Sequence, residues 1–266
     1  MSSMTKSMAR YDARPKAKQS ELYEERWTVP QIENLNDLMC HDRPEDILLW
    51  AEENFSPKLK FSCQFSMEDV VLLHLMHRLG VQAEVFFLDT GRLHQETYDL
   101  VETYREQFHF DINVYTPDTQ GLAGILSKNG VNPFYRNRQA RQECCFVRKM
   151  EPMARALDGA DAWVSGQRQE YVTNATGVVA IDSLHGGILQ INPIYYWDSA
   201  AVWEYVRQHQ IPYNRLYDQG FASVGCSPCN RPLHEGESVA DGTWWWEDAK
   251  ENDLPVLKNS EVHRVG

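Results

Sequence analysis

The chain has 266 residues, 42% hydrophobic and 24% charged, which suits a globular α/β protein and excludes a wholly disordered or fibrous one. With 38 acidic and 26 basic side chains the formal net charge is −12, which argues against a broad nucleic-acid footprint, since phosphate backbones are held mainly by Lys and Arg. No run of about 18 apolar residues occurs, so no membrane span is expected.

Residues 1–40 read as an N-terminal extension. Its first part holds Lys6, Arg10, Arg14, Lys16 and Lys18 against Asp12, and no apolar core follows, so it reads as a solvated tail and the location as cytoplasmic. Leu59 to Cys63 reads as a strand, and Asp69 to Leu79 as a helix buried on several sides. Glu84 to Leu88 is a second buried strand. Leu93 to Phe108 is an amphipathic helix, with Thr97, Val101, Tyr104 and Phe108 at helical spacing. Strands follow at Asp111 to Tyr115 and Ala162 to Ser165, with Val178 to Ile181 or Ile188 to Ile194 supplying more. Asp198 can cap a helix reaching about His209. The alternation predicts an α/β protein with a parallel, doubly wound sheet, a main domain over 41–229 and an irregular tail over 230–266. Ligands of such sheets bind beyond the carboxyl ends of the strands, here the loops 64–68, 89–94 and 166–171.

The strongest chemical signal is cysteine pairing. Cys144 and Cys145 are adjacent, and Cys226 and Cys229 form a C-x-x-C. Four thiolates in two local pairs suit a tetrahedral zinc site or a [4Fe-4S] cubane. A vicinal pair is awkward for zinc, whose ligands prefer two to four intervening residues, whereas a cubane offers each thiolate its own iron. Arg148 and Lys149 follow by one helical turn, where cations suit a net-negative cluster or an anionic substrate. A second signal is Leu88-Asp89-Thr90-Gly91-Arg92-Leu93-His94, a strand running into a small-residue turn and a helix, suited to a ribose or phosphate at a helix N-terminus. The third is Cys63-Gln64-Phe65-Ser66-Met67-Glu68-Asp69, which lacks the glycines of a P-loop. His74 and His77 read as core histidines and His94 as a ligand contact; Trp244 to Trp246 read as packing that anchors the tail.

Together, Leu88 to His94, Glu143 to Lys149 (ECCFVRK), Ser165 to Arg168 (SGQR), Gly225 to Pro232 (GCSPCNRP) and Trp244 to Asp248 (WWWED) resemble the assimilatory sulfonucleotide reductases. The resemblance spans about residues 43 to 248. It implies an adenine-nucleotide α-hydrolase-like fold and, from the four cysteines, the [4Fe-4S] members that act on adenylyl sulfate in sulfate assimilation and cysteine biosynthesis. It implies substrate contacts from Phe65, Ser66, Glu68, Asp69, Leu88, Asp89, Thr90, Gly91, Arg92, His94, Arg148, Gly166, Gln167 and Arg168, and a catalytic part for Lys149. It also implies a thioredoxin-type dithiol donor and a homo-oligomer.

The sequence departs from that family at its nucleophile. The family's cysteine lies near the C-terminus in K-x-C-G-L-H, and here no cysteine follows Cys229. With a gap, Ser260 takes the nucleophile position, and Lys258 and His263 match their neighbours; without one, the position falls at Leu254. A serine hydroxyl is a poor nucleophile at neutral pH and cannot form an S-sulfo intermediate. The family's R-x-G-R is Ala240 to Thr243 here, and a further arginine is replaced near Ala175 or Thr176. These losses lead to two expectations: a reductase impaired in catalysis, or a non-catalytic nucleotide-binding or regulatory relative. Cys63, in the loop that opens the buried helix, is a minor candidate to replace the missing nucleophile, since the family usually has a small residue there. A cluster-bearing enzyme of RNA-base thiolation is a further reading, opposed by the acidic charge.

Overall fold

The structure, a computed structural model, describes residues 27–171 and 177–247. Six strands form one sheet in the order β3-β2-β1-β4-β6-β5: β1 (Leu59–Ser62), β2 (Glu84–Leu88), β3 (Ile112–Tyr115), β4 (Ala162–Val164), β5 (Val179–Asp182) and β6 (Ile188–Ile191). β1 is central and buried at all four positions, because helices cover both faces of the sheet. All pairs run parallel except β5 with β6. The expectation of a parallel sheet therefore holds for five strands. A tight turn containing Gly186 and Gly187, both at positive φ, reverses the sixth.

The helices are α1 (Val29–Met39), α2 (Pro44–Phe55), α3 (Met67–Leu79), α4 (Gln95–Phe108), α5 (Thr119–Asn129), α6 (Arg138–Cys145), α7 (Glu151–Ala156) and α8 (Ser199–His209). None is long and apolar enough to cross a membrane among the described residues. α3 starts at Met67, two residues before its expected start, because the Ser66 side chain caps the Asp69 amide; Gly80 in the left-handed region ends it. Its Val70 to Leu73 and Leu75 are wholly buried between the sheet and α8, so the helix is apolar nearly all round. His77, expected in the core, lies exposed on its last turn, whereas His74 is half-buried and hydrogen-bonds Tyr205 through Nδ1 at 2.9 Å.

α1 lies in the segment read as an extension, yet it buries Ile32 and Met39 in the main core. Its Asn36 side chain accepts from the Val179 amide and donates to the Val179 carbonyl, both at 2.9 Å, and so pairs with the outer edge of β5. At the opposite edge Arg105 donates to the Ile112 carbonyl and Arg155 to that of Thr116. Between α6 and α7 the chain makes a π-helical turn, Phe146–Met150, a rare insertion that marks functional sites.

Candidate functional site

The strand order reverses direction beside β1, between β1 and β4, and the loops leaving β1, β2 and β4 meet there. The β1 loop is built on Asp69. Its Oδ2 accepts the Gln64 and Ser66 amides at 2.9 and 3.1 Å, while Phe65 takes a positive φ of 59°. Burial pushes Asp69 up to about 6, although the Gln64 amide opposes this. Asp69 thus shapes the loop from inside. Phe65 turns its ring against Phe87 and Tyr104, and Leu88 lies in the core, so the side chains of both face inward and only their backbones line the loops.

The β4 loop presses on the same helix start. A methyl group on Gly166 would meet Glu68 Cβ at 2.7 Å and Asp69 Oδ1 at 3.0 Å, so only glycine fits. Arg168 is buried and its Nε and Nη2 both reach Glu68 Oε1 at 2.8 Å. Glu170, Ser199 and the Trp197 carbonyl hold the rest of the guanidinium. Two carboxylates on one arginine leave this corner with no surplus positive charge.

The β2 loop joins the β1 and β4 loops to the cysteines. Asp89 Oδ1 accepts from the Gly91 amide at 2.8 Å and from Tyr98 at 2.7 Å, and Gly91 needs its positive φ of 67°. Thr90 is fully buried, with Oγ 3.3 Å from Cys226 Sγ. The Ser227 amide donates to the Arg92 carbonyl at 2.7 Å, Leu93 bridges Cys226, and Arg148 donates to the Thr90 carbonyl. The half-buried His94 packs edge-on against Phe221 and its buried Nε2 has no partner among the described residues.

Cys144, Cys145, Cys226 and Cys229 line one pocket together with Arg92, Phe134, Arg141, Arg148, Lys149, Pro228 and Trp244. The adjacent cysteines end α6, and the C-x-x-C occupies a short helical turn held by the Cys229 amide on the Cys226 carbonyl at 2.8 Å. Burial, and then the Cys145 thiol, pushes Cys144 up to about 11; burial also raises Cys145 and Cys229. Burial alone would lower Lys149, but the four thiols facing it raise it instead. Among the described residues no three His, Cys, Asp or Glu side chains come together in a group fit for a single metal ion.

Sequence reasoning did not single out Arg141, which enters the pocket wall one turn before Cys145 on α6. The spacing Arg141, Cys145, Lys149 was the available signal. Its partner Glu247, in the tail, carried none. Trp244 is buried on the Arg141 guanidinium, as its packing role required, while Trp245 is exposed. Thr243, in the lost arginine segment, hydrogen-bonds Asn230 at 2.9 Å. Ser260, His263, Lys258, Leu254, Asp248, Ala175 and Thr176 lie outside the described residues. Cys63 is wholly buried, and burial followed by the Asp69 charge raises its thiol far above the ordinary range.

Residues 58–232 match the phosphoadenosine phosphosulfate reductase domain family. The chain is 40% identical over 205 residues to the adenosine 5'-phosphosulfate reductase of Allochromatium vinosum, covering 77% of this chain and 78% of that protein. It is 36% identical over 236 residues to the enzyme of the same name from Neisseria meningitidis, covering 87% and 97%. The phosphoadenylyl-sulfate reductase of Candida auris superposes with a TM-score of 0.67 at 27% identity, over 76% of this chain and 97% of that one. The FMN adenylyltransferase of Candida glabrata, at 15% identity and a TM-score of 0.51 over 74% and 65%, shares the fold alone.

Proposed function

The chain belongs to the sulfonucleotide reductase family, and from that membership we propose that it binds adenylyl sulfate over the β1, β2 and β4 loops, with a [4Fe-4S] cluster held by Cys144, Cys145, Cys226 and Cys229. The observation that carries this reading is continuity: the β2 loop that would cradle the nucleotide bonds directly to the cysteine turn through Thr90, Arg92 and Leu93. The four thiols fit a cluster better than zinc. They share one pocket, and an adjacent pair is awkward for zinc, whose ligands prefer two to four intervening residues. A cubane spreads its ligands over four irons. When bound, the cluster supplies negative charge and ties the two cysteine segments together.

The chain's own residues do the rest. Arg148 and Lys149 offset the cluster's charge and present cations toward the β2 loop, where the sulfate end of the nucleotide would lie. Asp89 and the Gly91 amide shape the turn for ribose or phosphate. In the parent reaction a thiolate attacks the sulfate sulfur, the S–O bond to AMP breaks, and a dithiol then releases sulfite as it is oxidised. Within these 266 residues the only thiols besides the four pocket cysteines are Cys40 and Cys63. Cys63 is sealed in the core as a neutral thiol, which removes it as a substitute nucleophile. With Cys63 sealed, these residues bind the sulfonucleotide, and no exposed thiol stands in the β1, β2 or β4 loops to turn it over. Ser260 and His263 do not replace the missing step, and a thioredoxin-type donor finds no S-sulfonate to reduce.

Calorimetry with AMP and adenylyl sulfate, beside a sulfite assay with thioredoxin, tests this. Micromolar binding of adenylyl sulfate with no sulfite release is expected. Absence of binding up to millimolar concentrations refutes the nucleotide reading. Rapid sulfite release refutes the catalytic one.

A further inference from the structure

Arg141 is 1% exposed, and two of its three guanidinium nitrogens are spoken for. Nε donates to Glu247 Oε1 at 2.5 Å and Nη2 to Oε2 at 2.9 Å, a two-pronged fork that fixes the plane of the group. The face of that plane lies 3.7 Å from the centre of the Trp244 ring. Nη1 is buried and makes no hydrogen bond of good geometry among the described residues, while the guanidinium faces the Cys145 thiol. A buried guanidinium with an unused donor is costly unless an acceptor belongs there. Arg141 lines the pocket that the four cysteines share. Arg138 also reaches Glu247, at 3.5 Å.

We propose that Arg141 is a positioning residue for the group held by the four cysteines, its Nη1–H reserved for a sulfur of that group and its plane locked by Glu247 and Trp244. This rests on the cluster reading above. Glu247 and Trp244 come from the segment beyond the C-x-x-C, more than 100 positions along the chain from Arg141. The fork therefore also links that segment to the cluster wall. A hydrogen bond and a positive charge at a cluster sulfur stabilise the cluster and change its iron–sulfur bonding.

The test uses the full chain, purified anaerobically as wild type, Arg141→Lys, Arg141→Met and Glu247→Gln. Iron and acid-labile sulfide are measured first. About four of each in the wild type supports the cluster reading, whereas zinc without sulfide removes that reading and this inference with it. With wild type loaded, Arg141→Met should lose its visible cluster absorbance to a chelator about tenfold faster. Its iron–thiolate bands in resonance Raman should also shift. Glu247→Gln should shift the same bands in the same direction by less, because the amide leaves the fork mis-aimed. Arg141→Lys should keep its iron but not the wild-type bands, since a point charge cannot serve three directions at once. Wild-type spectra in Arg141→Lys and Glu247→Gln, with loss rates unchanged, overturn the proposal even if Arg141→Met fails to fold.

Discussion

Asp69 sets the shape of the β1 loop, and its environment gives that role a pH signature. The carboxylate is buried, accepts two backbone amides through one oxygen, and is pushed up from 3.8 to about 6. Between about pH 4 and 6 the folded chain keeps a proton that the unfolded chain has released, so this group favours the folded state most at the acid end. Its contribution falls as pH rises through 6 and is flat above about 7. A shift of about two units corresponds to ~3 kcal/mol. Asp69→Asn keeps an oxygen able to accept both amides and removes the titration. Urea denaturation of the two proteins across this range should therefore show wild type losing ~3 kcal/mol relative to Asp69→Asn between about pH 4 and 7. Asp69→Ala should be worse than either at pH 7, since two buried amides are left unpaired at about 1–3 kcal/mol each. A wild-type minus Asn difference that stays level, or that grows with pH, refutes the reasoning.

Gly166→Ala should cost about 1–3 kcal/mol and weaken binding of AMP, because the new methyl meets Glu68 Cβ at 2.7 Å; melting and calorimetry check both effects. Asn36→Ala should lower stability by about 1–3 kcal/mol through its two lost bonds to Val179, read as a shift of the urea midpoint with unchanged slope. Cys229→Ser should abolish stoichiometric cluster loading, measured as iron and sulfide per chain, while leaving the far-ultraviolet spectrum near that of wild type. Cys63 should resist a disulfide reagent in the folded chain and react only on unfolding, since its thiol is sealed and neutral; fast labelling under native conditions would contradict this.

The parallel core was legible because its strands are short apolar runs between strong helical periods. Glu84 to Leu88 stands where the pattern put it, and Ala162–Val164 ends one residue short of the expected Ser165. The reversal of β5 was not legible: the period-2 signal of a four-residue strand carries no direction, and direction came from the Gly186-Gly187 turn. α1 was hidden by its weak apolar stripe, since only Ile32 and Met39 are buried. The four cysteines and the β2 turn declared themselves by residue type and spacing. What could not be read were pairings between distant residues. Glu68 with Arg168 is 100 positions apart and Arg141 with Glu247 is 106, and no local pattern predicts either. Asp69 shows the same limit in another form, because its type fits a ligand contact as well as the internal clamp it is.

The side chain of Asn36 gives the outer rim of β5 both halves of a backbone pair, one donor and one acceptor, where another strand would otherwise dock. Arginines occupy carbonyls of β3 and of the residue following it at the far rim. A sheet finished in this way offers poor template for strand addition, and at the β5 rim a second chain would have to displace α1 first. On that side the ladder that seeds aggregation in partly unfolded α/β proteins stays covered for as long as one short helix remains docked.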